Sequence, residues 1–386
     1  MSMEARRIAL IVLVAALLMP FAGVLFSDDS DAAGEDYAHY YYNQLSDNQK
    51  LIYQAMYDSY FATPVEPVQE TVLGEQGYYL TLDVAGYTAS AGSAASLKQT
   101  AFSDAATAWQ ATMLDLPMAW WTWSTDNAGW ALPDASFDIS STSVTSLQFK
   151  IRIADSFVTN GKTVTSCVSE TKTAFTALVG SDEIEGDTAL ELVRSINSYL
   201  CSSAFKYDDE ATFQGSVYGA LVAEESGVHH IACMGYSKLF KMLCDNYGID
   251  CVCIVGAAVQ KDKAPEGHMW NVVRLSIDGS LEVLGVDATF DDTGGSKEAF
   301  LLRGYSDETD GHSFVMTHQP FTGFYKTLPL WVPYTFDSPE LSEDGYDFPA
   351  DNDILAVITT YLPWIIMGII CAILALVLLS IARRGD

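Results

Sequence analysis

The chain has 386 residues, of which 50 are acidic and 20 basic, for a formal net charge of -30 at pH 7. That acid excess excludes nucleic acid and anionic lipid surfaces as partners of the folded body, and it reads first as a soluble exterior. The length suffices for a substantial core in two lobes. In chain order, Arg6 and Arg7 precede an uninterrupted apolar run, Ile8–Phe26, with the small residues Ser30 and Ala32 behind it. Residues 1–33 therefore read as a secretory signal peptide or, left uncleaved, as an N-terminal anchor.

Residues 34–165 read as a smaller N-terminal lobe of helices and strands. Ser46 is placed to cap an amphipathic helix running toward Tyr60, Ala105–Met113 belongs to a second helix, and the alternation across Ser143–Ile153 predicts a strand. Trp120, Trp121, Trp123 and Trp130 form an aromatic cluster, expected in a core before it is expected in a sugar or peptide site.

Residues 166–335 carry the chemistry, in three segments: Gly227–Phe240 with Cys233, Gly267–Asn271 with His268, and Val286–Asp292 with Asp287. A thiol attacks as thiolate, so a nucleophilic Cys needs a nearby imidazole or a helix N-terminus to favour that form. Tyr236, Leu239, Phe240, Leu243 and Tyr247 recur at helical spacing and Gly248 supplies the stop, which puts Cys233 in the first turn of a helix. The next strand, Cys251–Val255, leads through a polar loop into a hairpin whose turn is Asp278-Gly279. Pairing outward from that turn sets Trp270 opposite Asp287, with His268 on the face of Trp270. A diagonal pair of this kind lies within about 7 Å, which a carboxylate and an imidazole bridge. A slip of one residue would put Asp287 on the wrong face.

These motifs in this order resemble the transglutaminase-like superfamily, a branch of the papain-like cysteine fold. The likeness rests on Cys233-Met-Gly-Tyr-Ser with its Leu-Cys-Asp-Asn-Tyr-Gly-Ile-Asp-Cys tail, on Gly-His268-Met-Trp-Asn, and on Val-Asp287-Ala-Thr-Phe-Asp-Asp. Ala189–Leu200 with Phe205-Lys-Tyr207 is similar to that family's leading helix, Ala299–Arg303 and His312 to its closing strands, and Leu114–Trp121 to a segment of some secreted members. The resemblance implies a papain-like, transglutaminase-like core with the nucleophile helix packed on an antiparallel sheet; with the smaller N-terminal α/β lobe and the C-terminal transmembrane helix read from residue patterning, the expected fold class is α+β. The resemblance also implies Cys233 as nucleophile, His268 as general base and acid, and Asp287 as the group that orients His268. The backbone N–H of Cys233 would serve one side of an oxyanion hole, with Tyr207 and Gln214 as guesses for the other.

Beyond the core, residues 336–353 hold seven acids and no base and read as a solvated, self-repelling linker. Residues 354–382 carry no charge, long enough to span a bilayer, and Arg383 with Arg384 in the tail 383–386 puts that end in the cytoplasm. The body is thereby expected outside the cell, acting on a peptide or protein substrate at its surface and tied to the membrane by its C-terminal helix. Six cysteines lie outside the span, and a nucleophilic Cys233 leaves at least one more thiol without a disulfide partner.

Three functions fit. The first is a cysteine enzyme acting on amides through a thioester, peptidase or amidase before cross-linker, with no cofactor and no metal. The second is a binding module that keeps the fold without the chemistry, and the third a structural part of the envelope. A zinc site built from His229, His230, Cys233 and His268 matches no closed zinc spacing.

Overall fold

The computed structural model describes residues 36–348, apart from 62–65, 73, 123–132, 135–142, 145–146, 160–162, 223–226, 261–262, 295, 310–311, 322–323, 327–330 and 334. The expected signal segment, membrane span and tail lie outside the described residues, as do Trp123 and Trp130. Among the described residues no helix is long and apolar enough to cross a membrane. The protein belongs to the α+β class, with helices packed on antiparallel sheets.

An N-terminal sheet runs β1 (Val68–Val72), β2 (Glu75–Val84) and β3 (Leu147–Ile153), all antiparallel, with Pro133–Asp134 paired beyond β3. The alternation of β3 is real: Leu147, Phe149, Ile151 and Ile153 are buried while Gln148 is exposed. Two helices accompany it, α1 (Asp47–Phe61) and α2 (Ala94–Asp115). Ser46 caps α1 reciprocally, since its N–H donates to Gln49 Oε1 at 3.0 Å and its hydroxyl accepts from the Gln49 N–H at 3.5 Å. The last half of α2 is buried all round, with Ala105, Ala106, Ala108 and Ala111 admitting close neighbours.

Polar contacts join this part to the second sheet. Asp115, at the end of α2, accepts from the N–H groups of Tyr41 at 3.1 Å and Tyr42 at 2.9 Å. Burial raises its carboxyl to about 7 against the pull of Lys241. The Tyr41 hydroxyl donates to the Cys253 carbonyl at 2.6 Å.

Three helices follow, α3 (Val164–Val179), α4 (Ala189–Leu200) and the short α5 (Val217–Leu221), each begun by a Ser or Thr cap. Between them, β4 (Phe205–Tyr207) pairs in parallel with β5 (His229–Ile231), which delivers the chain into α6 (Cys233–Tyr247). The left-handed Gly248 stops α6, as its sequence implied.

The second sheet has the order β8-β7-β6-β9, built from β6 (Asp250–Ala258), β7 (Glu266–Ile277), β8 (Ser280–Val286) and β9 (His318–Pro320). Asp278 and Gly279 make the two-residue turn with φ of 53° and 86°, so the register is the expected one, with Asn271 opposite Val286. Helix α6 covers one face, where the Ser237 hydroxyl donates to the Met269 carbonyl at 2.9 Å and the Asn271 amide donates to the Ser237 carbonyl at 3.0 Å.

Contacts group the chain into one unit ending at Gly345 and a second beginning at Tyr346. In the second, the rings of Tyr346 and Phe348 meet at 5.1 Å. The start of the stretch expected to be a solvated linker is instead docked. Phe336 is buried against Tyr41, the N–H of Ser342 donates to the Val283 carbonyl at 2.9 Å, and the N–H of Tyr305 donates to the Ser342 carbonyl at 2.7 Å. Backbone pairing outweighs charge here, because the acids of this segment keep access to water. Beneath it lies a cavity of about 400 Å³ lined in part by Ile254, Trp270, Phe314, His318 and Leu341.

Candidate active site

Helix α6 begins without a side-chain cap: Ala232 stands at the N-cap position, where α2 to α5 have Ser or Thr. Its first turn presents backbone N–H groups and the positive end of the helix dipole. Cys233 is the first helical residue and is partly exposed.

His268 comes from β7 and is buried. Its Nε2–H donates to Asp287 Oδ2 at 2.6 Å, and the Cys233 thiol is close enough to help raise the proton affinity of the ring. With Nε2 committed to the carboxylate, Nδ1 is the nitrogen left for the thiol. Phe290 stacks on the imidazole at 4.7 Å and Trp270 follows at 6.1 Å, which holds the ring plane. Burial pushes His268 down, but the charge of Asp287, the hydrogen bond to it and the nearby Cys233 thiol outweigh it and lift the imidazole to about 10.

Asp287 lies one residue past the end of β8 and caps α7 (Ala288–Thr293). Its Oδ1 accepts from the N–H groups of Thr289 at 3.0 Å and Phe290 at 3.1 Å. Burial works to raise this carboxyl, yet the charge of His268 and the hydrogen bonds hold it well below the usual carboxylate range. The neighbouring acids serve elsewhere. Asp291 accepts from Asn197 and from the Phe300 N–H, and Asp292 accepts from the Tyr236 hydroxyl at 2.6 Å.

Cys233, His268 and Asp287 are thus brought together, His268 hydrogen-bonded to Asp287 and within the electrostatic reach of the Cys233 thiol. Both upstream residues guessed from sequence lie by the thiol: burial, and then Cys233, push the Tyr207 phenol up to about 12, and the Gln214 carbonyl accepts from the Ala232 N–H at 3.0 Å. The Gln214 side-chain amide also donates to the Asp209 carbonyl.

His229 and His230 do not join this group. His229 stacks on Phe205 and bonds the Gly219 carbonyl, and His230 pairs with Asp208 at 3.0 Å. The zinc set weighed from sequence is therefore not assembled among the described residues.

Sequence reading missed His318, whose Nε2 lies 2.9 Å from the same Asp287 Oδ2. It sits on β9, paired with the far end of β6 opposite Ala258, a juxtaposition that spacing along the chain does not signal. Ala299–Arg303 and His312, expected as closing strands, give a single bridge at Arg303 and a two-residue strand at His312–Ser313; β9 closes the sheet instead.

His268, Asp287 and His318 offer three ligand atoms within 4.8 Å of one another. Ligands about 2.0 Å from a tetrahedral zinc stand roughly 3.3 Å apart. Separations of 2.6 and 2.9 Å onto one shared oxygen are those of hydrogen bonds.

No family model matches the chain, and no curated protein matches it. A solved structure described as "Crystal structure of a TGase" is similar to it with 12% identity and a TM-score of 0.27, over 49% of this chain. The match spans about half (49%) of the length of that solved chain.

Proposed function

We propose that the protein is a transglutaminase-like cysteine enzyme that acts on amide carbonyls through a thioester. The observation that carries this reading is the chain of contacts from the Cys233 thiol through His268 to the buried Asp287, set at an uncapped helix N-terminus.

The chemistry follows from those groups. With the proton of Cys233 on His268, the thiolate attacks the carbonyl carbon and the oxygen takes the negative charge, facing the backbone N–H of Cys233 with Tyr207 nearby. The carbon–nitrogen bond breaks as His268 gives its proton to the departing amine or ammonia. Water or an amine then loses a proton to His268 and attacks the thioester, which frees the acid or a new amide and restores the thiol. Asp287 stays ionised and fixes the ring. Water needs no second binding site, so hydrolysis is favoured over cross-linking.

In this proposal residues 166–335 are the catalytic domain and 34–165 the N-terminal lobe. The segment 354–382 ties the body to the outer face of a membrane, with Arg383 and Arg384 inside, and the substrate is a peptide or protein at the cell surface. The test is mass spectrometry of a glutamine-containing peptide library incubated with the protein, with and without a primary amine. Cleavage or deamidation that Cys233→Ala lacks supports a hydrolase, and amine incorporation a transferase. No product from either protein overturns the enzyme reading in favour of a binding module.

A further inference from the structure

His318 has a proton inventory that its neighbours settle. Its Nδ1 faces the Thr317 hydroxyl at 2.9 Å and the Phe314 carbonyl at 3.2 Å. If Thr317 donates to Nδ1, the ring's one proton is on Nε2; if Nδ1 donates to the Phe314 carbonyl, Nε2 carries a proton as well, because an ionised carboxylate only accepts. In both arrangements Nε2–H donates to Asp287 Oδ2. The ring is held for this, stacked face to face on Phe314 at 4.0 Å with 7° between planes and fully shielded from water.

Asp287 therefore receives four donors: two backbone N–H groups on Oδ1 and two imidazoles on Oδ2. A His buried only for packing would be satisfied by any acceptor. This one converges on the oxygen that holds His268. We propose that His318 is a positioning residue for the reaction: it locks the Asp287 carboxylate against His268 and draws off part of its charge, so that His268 is less basic than Asp287 alone would make it. The inference rests on the cysteine-enzyme reading and adds to it a fourth side chain that touches neither substrate nor thiol.

Cys233 from α6 and Asp287 from the β8–α7 junction face His268, and the charge of Asp287 also reaches Asp291, Cys201 and Tyr207. Around His318 the rings of Trp270, Phe290, Phe300 and Phe314 pack on the imidazole, and the cavity that His318 lines also carries the acids Glu340 and Glu343 from the docked segment.

Two variants of the full chain separate the donor from the ring. His318→Phe keeps an aromatic on Phe314 and removes the N–H, whereas His318→Gln keeps an N–H and removes the ring. The readout is the titration of the His268 imidazole by NMR of histidine-labelled protein, assigned with His268→Ala, together with Tm. The expected result is a rise of about one pKa unit for His268 in His318→Phe and a wild-type titration in His318→Gln, even where Tm falls further in the Gln protein. An unchanged His268 in folded His318→Phe overturns the proposal. Should the Phe variant not fold, a displaced His268 titration in His318→Gln overturns it and a wild-type one supports it. The enzyme reading fails separately, on Cys233 alkylation that does not depend on His268.

Discussion

The cysteine at the start of α6 and those beneath its far end are the same side chain in opposite settings. Cys233 is partly exposed, heads a helix and acts on the His268 imidazole. Cys251 and Cys253, on β6, are fully buried, and burial is the first cause that pushes both thiols well up; Cys251 is raised further by the neighbouring Cys244. Lys241 stands near both and works the other way, yet burial wins. A cation nearby is thus insufficient for a reactive thiol. Access to water and a partner able to take the proton decide the matter.

The contrast is broken most severely by Cys233→Ala, which is expected to abolish amide turnover and fast iodoacetamide labelling at pH 6 while the protein stays folded. Labelling that persists would move the reactive thiol elsewhere. His268→Ala removes the proton acceptor, and turnover is expected to fall by about 10²-fold or more, with slower alkylation of Cys233 measured by mass spectrometry.

Stability against pH sharpens the comparison from another side. The folded value of His268, about 10, lies above its unfolded one, so its contribution is complete below about pH 6.5 and is lost as pH rises toward 10. Asp287 is depressed, so its contribution is complete above about pH 4 and is lost as pH falls. Denaturant unfolding of the wild type and of Asp287→Asn, both of which keep the buried Asp115 and Asp291, should differ most between those limits and converge at alkaline pH. The smallest effect is expected of Cys251→Ala, about 1 kcal/mol in stability with Cys233 alkylation unchanged.

Much of this site was legible in sequence where local rules hold. The span of α6, its Gly248 stop, the Asp278-Gly279 turn and hence the register that sets His268 near Asp287 all follow from spacing and turn chemistry. What spacing could not reveal is non-local. His318 reaches Asp287 because β9 lies on the outer edge of β6, and because Phe314, which backs its ring, occupies space that only Gly285 leaves open. A Cβ at Gly285 would fall 2.3 Å from the Phe314 ring. Gly285→Ala is accordingly expected to cost about 1–3 kcal/mol, measured by Tm, and to disturb His268 through His318 without touching any polar group. The docking of residues 336–345 escaped for a related reason: a run of acids signals water-facing side chains and is silent about where the backbone lies.

That docked segment also has a protective consequence. β8 is an outer strand, and the Val283 N–H and carbonyl on its outer side are taken up by the Ser342 hydroxyl and N–H, while Gly285 pairs with Arg303. A chain cut before Phe336 would remove the Phe336 ring from Tyr41 and leave the backbone of Val283 open to pairing with another molecule. Such a truncation is expected to self-associate through that edge, whereas one that ends after Gly345 keeps the edge closed.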